Sequence, residues 1–223
     1  MSEKQIRYSP IHHLLEARNP DWSLAGETRI PIRFQAEKNE RMAMQRLGLC
    51  DLSGLTKLGV KGDDSASWLT SRNVDVPEAI YDSRRLADGG IIVCLADDEF
   101  LLESGIQNKT VPELEALLST NRGQLCRIER QEATVLLVGA RAIDVLAQTC
   151  GINFRDQGPG QLVLSRVAGV SCGILPDSVG ELTAFRFWID AGYAAYLWET
   201  LLQICEDLGG SLIGVGCLFP DLQ

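Results

Sequence analysis

The segment RLGLCDLSGLTKLGVKGDDSASWLTSRNV, running from Arg46 to Val74, sets the architecture. Its first part, CDLSGLTKLGVKG, reads as an apolar strand interrupted by Gly54 and Gly59. Gly62 ends it, and Asp63 or Asp64 opens a short helix through Trp68 and Leu69, with the acid as its cap. The same order returns in VLLVGARAIDVL, residues 135–146, where Gly139 corresponds to Gly62. Leu69 and Leu146 each lie seven residues past their glycine. Further along, DEFLLES followed by VPELEALL is echoed by TAFRFWID followed by AGYAAYLWETLL. Two similar subdomains, each an antiparallel sheet with helices on one face, fit these echoes, which makes the fold class α+β.

Working outward, residues 1–35 are rich in breakers (Pro10, Pro20, Gly26, Pro31) and read as an extended N-terminal arm. A helix is predicted over 36–47 and closed by Gly48. Strands are predicted at 79–84, 90–95 and 99–103, with a hairpin turn at Gly89-Gly90. A helix begins near Val111, with Pro112 in its first turn, where the missing N–H costs least. Strands follow at 124–129 and 133–138, then a helix at 140–150, then strands at 161–167, 170–174 and 181–189. Tyr193, Tyr196, Leu197, Thr200, Leu201, Ile204 and Leu208 recur at three and four, so a helix is predicted over 192–208. Gly209-Gly210 ends it, and SLIGVGCLF reads as a last strand. The expected layout is one domain over 1–223, with subdomains at about 36–120 and 121–217 after the arm.

Composition narrows the function classes. The 223 residues suffice for a real core, and 45% apolar with 23% charged is ordinary for a globular protein. A net charge of −9, with no stripe of Lys and Arg among aromatics, argues against nucleic acid as a partner. Neither a secretory leader nor a run of about 20 apolar residues is visible, so no membrane is expected and the cytoplasm is the simplest compartment. The seven cysteines are odd in number and lack any C-x-x-C, and they read as reduced thiols packed as small hydrophobes.

Few residues carry chemistry. The only histidines, His12 and His13, are adjacent, and their side chains diverge on a helix or strand, which suits no metal. There is no G-x-S-x-G elbow, and neither Gly209-Gly210 nor Gly214-x-Gly216 makes a phosphate loop. Asp63-Asp64 and Asp97-Asp98 are explained by a helix start and a turn. Phe185 and Phe187 share one face of a strand and suit the core, while Trp188 and Trp198 are open to either burial or a protein interface.

With these residues in view, the sequence resembles a known family. SPIHHLL from Ser9, the series Gly26, Pro31, Phe34 and Glu37, and the segment 46–74 are similar to the start of glycine cleavage T-proteins. VLLVGARAIDVLAQTCGINF and FRFWIDAGYAAYLWETLLQ resemble the gamma subunit of heterotetrameric sarcosine oxidase, a short member of the same superfamily. The resemblance implies a folate-binding T-protein-like fold, with two subdomains around a tetrahydrofolate pocket. In catalytic members a one-carbon unit passes from a methylamine-derived carrier to folate, and an Asp after a Gly-Gly-Ile-Ile turn is the key group.

In this chain Gly89-Gly90-Ile91-Ile92 is followed by Val93 and Cys94, and neither relays a proton as Asp does at neutral pH. Asp88 could contact folate only with a changed hairpin register. A second family element, a Glu that grips the pterin, corresponds to Glu181 in Val179-Gly180-Glu181. The third, an Arg after a Gly-x-Gly strand, is missing, since Cys217-Leu218 follows Gly214-Val215-Gly216. The resemblance thus names no catalytic residue, gives Glu181 and Asp88 as candidate tetrahydrofolate contacts, and implies no metal and no flavin held by this chain. It also implies no counterpart, before Gln223, of the C-terminal β-barrel of catalytic members.

The expected role is a non-catalytic small subunit beside larger flavin- and folate-binding subunits of a sarcosine-type or N-methyl amino acid oxidising complex, with self-association as the other partnership. A free-standing folate-dependent aminomethyltransferase or demethylase is one alternative. A folate-binding accessory protein is another, although the reactive Cys motif of the family's iron–sulfur maintenance branch is not found.

Overall fold

The computed structural model describes residues 6–119 and 124–219. The first residues of the expected arm and the expected subdomain boundary at 120–121 lie outside the described residues. Contacts divide the chain into two compact units. One takes residues up to Gly54, Glu132–Pro159 and the chain from Val163; the other takes Leu55–Gln131 and Gly160–Leu162.

In the first unit, α1 (His12–Glu16), the strands β1 (Asp21–Ala25) and β2 (Thr28–Arg33), and α2 (Glu37–Arg46) precede β3 (Gly48–Asp51). The stretch expected as an arm therefore holds a helix and a hairpin, and Ile11 and Leu15 from it enter the core. After β9 (Ala133–Val138) come α5 (Ala142–Thr149), β10 (Val163–Val167), β11 (Val170–Val179), β12 (Leu182–Ile189), α6 (Ala194–Asp207), β13 (Ser211–Leu212) and α7 (Val215–Leu218). The sheet order is β10-β11-β12-β9-β3-β13, antiparallel except for the β13–β3 pair.

The second unit holds β4 (Lys57–Lys61), α3 (Ser65–Thr70), β5 (Ser83–Arg85), β6 (Ile91–Ala96), β7 (Glu99–Glu103), α4 (Thr110–Ser119) and β8 (Cys126–Ile128). Its sheet runs β5-β6-β7-β4-β8, antiparallel throughout. The strand predicted at 79–84 starts later because Tyr81 takes a left-handed φ of +72°, which no strand can carry.

CDLSGLTKLGVKG is two strands in two sheets rather than one strand with interruptions. Asp51 turns the chain between them: its Oδ1 accepts the backbone N–H of Ser53 at 3.1 Å and the Ser53 hydroxyl at 2.6 Å. β3 then pairs with β9, Leu49 opposite Leu137, while β4 pairs with β7 and β8. That pairing is why residues 36–54, expected with the stretch up to 120, pack with residues beyond 132.

The internal echo is visible in the backbone. Gly62 and Gly139 each join a strand to a helix at positive φ, +140° and +118°. A Cβ at Gly62 would stand 2.6 Å from the carbonyl oxygen of Gln124, and one at Gly139 would stand 2.7 Å from the carbonyl oxygen of Arg46. Only glycine meets both demands. Seven residues on, Leu69 and Leu146 are both buried.

SLIGVGCLF is corrected as well. Only Ser211–Leu212 is strand, and Val215–Leu218 is a short helix whose start is fixed by Glu40. Glu40, 2% exposed, accepts from Phe34 N at 2.6 Å and Gln35 N at 3.3 Å through Oε1, and from Gly214 N at 3.2 Å through Oε2. Glu40→Ala strands these donors and is expected to cost about 3 kcal/mol, read as a lowered urea midpoint, with Glu40→Gln costing less. An E40A midpoint equal to that of the parent chain would show that the three bonds contribute nothing.

Candidate functional site

Each sheet turns one face to its helices. In the second unit Leu58, Val60, Ile92, Cys94, Phe100 and Leu102 pack with Trp68 and Leu69 of α3 and with Val111, Leu114 and Leu118 of α4. Strand alternation sends Lys57, Ile91, Val93, Leu101 and Glu103 to the opposite face. There Lys57 is paired across strands with Glu103, and Glu103 with Ile91. Lys57 Nζ lies 3.6 Å from Glu103 Oε2, with both side chains at most 3% exposed, and it also donates to Leu55 O at 3.2 Å. Val93, fully buried, stands between Leu101 and Ser83.

The first unit repeats this arrangement. Leu49, Val135, Leu137, Phe185 and Phe187 face Val145, Leu146, Leu197 and Leu201 of the helices. The opposite face carries Cys50, Leu136, Leu175, Asp177, Arg186 and Trp188. Arg186 Nε donates to Asp177 Oδ2 at 3.4 Å, and both side chains are buried. Sequence reasoning passed over both ion pairs. The signal was available: Lys57, Glu103 and Arg186 are charged residues inside apolar strand runs, where an ion is held only if paired. Trp188 and Trp198, open to either reading from sequence, are both core residues, 5% and 2% exposed.

The two acids proposed for tetrahydrofolate do not form a cradle. Asp88 stands at the turn before β6. Its Oδ1 accepts Gly90 N at 3.0 Å and its Oδ2 accepts Thr110 N, the first residue of α4, at 3.1 Å. Burial alone would push this carboxyl up, but the N–H groups of Gly90, Thr110 and Gly105 and the Thr110 hydroxyl outweigh it and hold it below the usual value. Glu181 sits with Gly180, φ +59°, in the two-residue turn between β11 and β12, exposed to solvent. A pterin needs a carboxylate with a free oxygen at the wall of a hollow. One acid has both oxygens engaged by backbone, and the other projects from a hairpin tip, so neither fits the group.

Where the resemblance expects acids, Val93 is apolar and Cys94 faces the helices. Burial pushes the Cys94 thiol up from its ordinary value, and the nearby Asp97 adds to this, so it holds its proton at neutral pH. Burial also pushes Cys172 and Cys205 up to about 12. Cys126 is the exposed exception to the expectation of packed thiols. His12 lies between two rings, with centroids 4.6 Å from Tyr8 and 4.7 Å from Trp22. Among the described residues no three His, Cys, Asp or Glu side chains gather as metal ligands, and no helix is long and apolar enough to cross a membrane.

Two α+β units, each a largely antiparallel sheet with helices packed on it, define the glycine cleavage T-protein-like fold class. The model of the GCVT N-terminal domain family matches residues 11–219, and the chain belongs to that family. Curated relatives include an aminomethyltransferase of Exiguobacterium sibiricum, 21% identical over 91% of this chain and 60% of the relative. Another, from Moorella thermoacetica, is 22% identical over 84% of this chain and 55% of the relative. The chain thus spans less than two thirds of their length. Among solved structures, the glycine cleavage system aminomethyltransferase T of Bartonella henselae superposes with a TM-score of 0.78 at 19% identity, covering 96% of this chain and 61% of that one. A chain of the heterotetrameric sarcosine oxidase of Corynebacterium sp. U-96 superposes with a TM-score of 0.65 at 18% identity, covering 92% of this chain and 97% of that one.

Proposed function

We propose that this chain is a non-catalytic member of its family, acting as a small subunit of a larger amine-oxidising assembly. The observation that carries the reading is Val93: a fully buried valine occupies the strand position at which the family resemblance implies the reacting acid. One-carbon transfer to folate needs an acceptor for a proton at the reacting nitrogen. Of the buried acids in the strands, Glu103 is paired with Lys57, Asp177 with Arg186, and Asp51 accepts the Ser53 N–H and hydroxyl, while half-buried Asp88, in the turn before β6, is held by backbone N–H groups. The likeness to a chain of a heterotetrameric oxidase supports membership of an assembly of that kind; the partners in this proposal are larger flavin- and folate-binding subunits, and the compartment is the cytoplasm.

The test is affinity purification of the tagged chain from its native cell, followed by turnover assays on the chain alone and on what it brings down. The expected result is co-purification with larger flavin-containing chains, oxidation of an N-methyl amine by the assembly, and no aminomethyl transfer by the isolated chain at saturating tetrahydrofolate. An isolated chain that turns over would establish it as a free-standing aminomethyltransferase and overturn the reading.

A further inference from the structure

We infer that Asp88, the acid at the turn that leads into the family's reacting position, is a structural clamp that ties the turn before β6 to the start of α4, and that neither it nor Glu181 is a tetrahydrofolate contact. This deepens the non-catalytic reading and rests on it for the identity of the site.

Four features carry the inference. Asp88 reaches across twenty-two positions of sequence to Thr110 N, one of the donors at a helix start that the helix itself leaves unpaired. Its other oxygen closes the turn on Gly90 N. Gly105 approaches the Asp88 backbone so closely that a Cβ there would overlap the Asp88 carbonyl, so the chain is packed on both sides of this residue. The Val111 N–H, next along α4, is taken by Ser104 Oγ at 3.1 Å, so Asp88 and Ser104 together cap the helix from outside it. With the N–H groups of Gly90, Thr110 and Gly105 and the Thr110 hydroxyl directed at it, this carboxylate has its acceptor sites engaged and takes a pteridine amine only by releasing one of them. Glu181 lacks the opposite requirement: its turn leaves it in water, where a hydrogen bond to a ligand competes with solvent.

The two roles give different readouts. The parent chain, Asp88→Asn and Glu181→Gln would each be titrated with tetrahydrofolate under anaerobic conditions by calorimetry, and each unfolded in urea from pH 3 to pH 8. The folded carboxyl of Asp88 lies below its free value of 3.8, so its stabilisation is complete above that value and disappears as pH falls through the folded value. D88N is therefore expected to unfold at lower urea than the parent chain at neutral pH, with the gap closing below about pH 4. E181Q is expected to match the parent's urea midpoint at pH 7.

No saturable heat of tetrahydrofolate binding is expected with any of the three. Binding that both variants retain would also support the assignment, since the ligand would then be held by other residues. Saturable binding to the parent that E181Q or D88N abolishes, with far-ultraviolet circular dichroism unchanged, would overturn it. So would a D88N midpoint equal to the parent's at pH 7. The subunit reading stands or falls separately, on co-purification.

Discussion

Val93→Asp is expected to destabilise the chain by about 4 kcal/mol or to prevent folding at 25 °C. Val93 has no exposed surface and lies between Leu101 and Ser83 on its sheet face. The substitution removes the burial of an apolar side chain and puts a carboxylate in that fully buried position. On that face Lys57 is paired with Glu103. The introduced carboxyl should hold its proton to higher pH than free aspartate, because burial disfavours the charge. With its folded-state value raised, the native state binds the extra proton more readily than the unfolded chain. The deficit should therefore be least at acid pH and grow as pH rises through neutrality. Urea unfolding of V93D at pH 5 and pH 8 reads both effects. A V93D chain as stable as the parent, with a midpoint insensitive to pH, would mean that the position opens to water and could accept the family's acid.

Glu103→Ala comes second in expected size. It leaves the Lys57 ammonium, 3% exposed, without the carboxylate 3.6 Å away, at an expected cost of about 3–5 kcal/mol. The same principle predicts that the pair is replaceable. Lys57→Met combined with Glu103→Leu should recover most of the loss, because two well-packed apolar groups need no mutual compensation. Denaturation of the single and double variants gives the coupling directly. If E103A lost less than about 0.5 kcal/mol, the pair would behave as an exposed one, and its burial on this face would carry no cost.

Much of the fold was legible because local signals were strong. The period of α6 and the glycines at 62 and 139 each reflect a constraint that acts within a few residues: an apolar stripe in the helix, and a positive φ where a strand turns into a helix at the glycines. What escaped notice depends on partners distant in sequence. Gly54 reads as a flaw in one strand, yet the Asp51 turn sends β3 to β9 and β4 to β7, pairings set by residues about forty to ninety positions later. The helix Val215–Leu218 is pinned by Glu40, 174 positions earlier, and no local pattern announces it. At the candidate site, the loss of an acid at Val93 is plain in the sequence. The commitment of Asp88 to Thr110, by contrast, becomes visible only when the hairpin and the helix start are seen together.

The discontinuity of the first unit bears on how the chain is made. Strand β3 is finished by Asp51, but its antiparallel neighbour β9 ends only at Val138, and the β9 partner β12 only at Ile189. The second unit, Leu55–Gln131 apart from three late residues, has all of its strands before the ribosome reaches Ala133. During synthesis that middle portion can condense first. The opening residues, Ile11 and Leu15 among them, must then wait with apolar side chains uncovered until the last third of the polypeptide emerges. The nascent chain should therefore be most prone to aggregation, and most dependent on chaperones, in that interval.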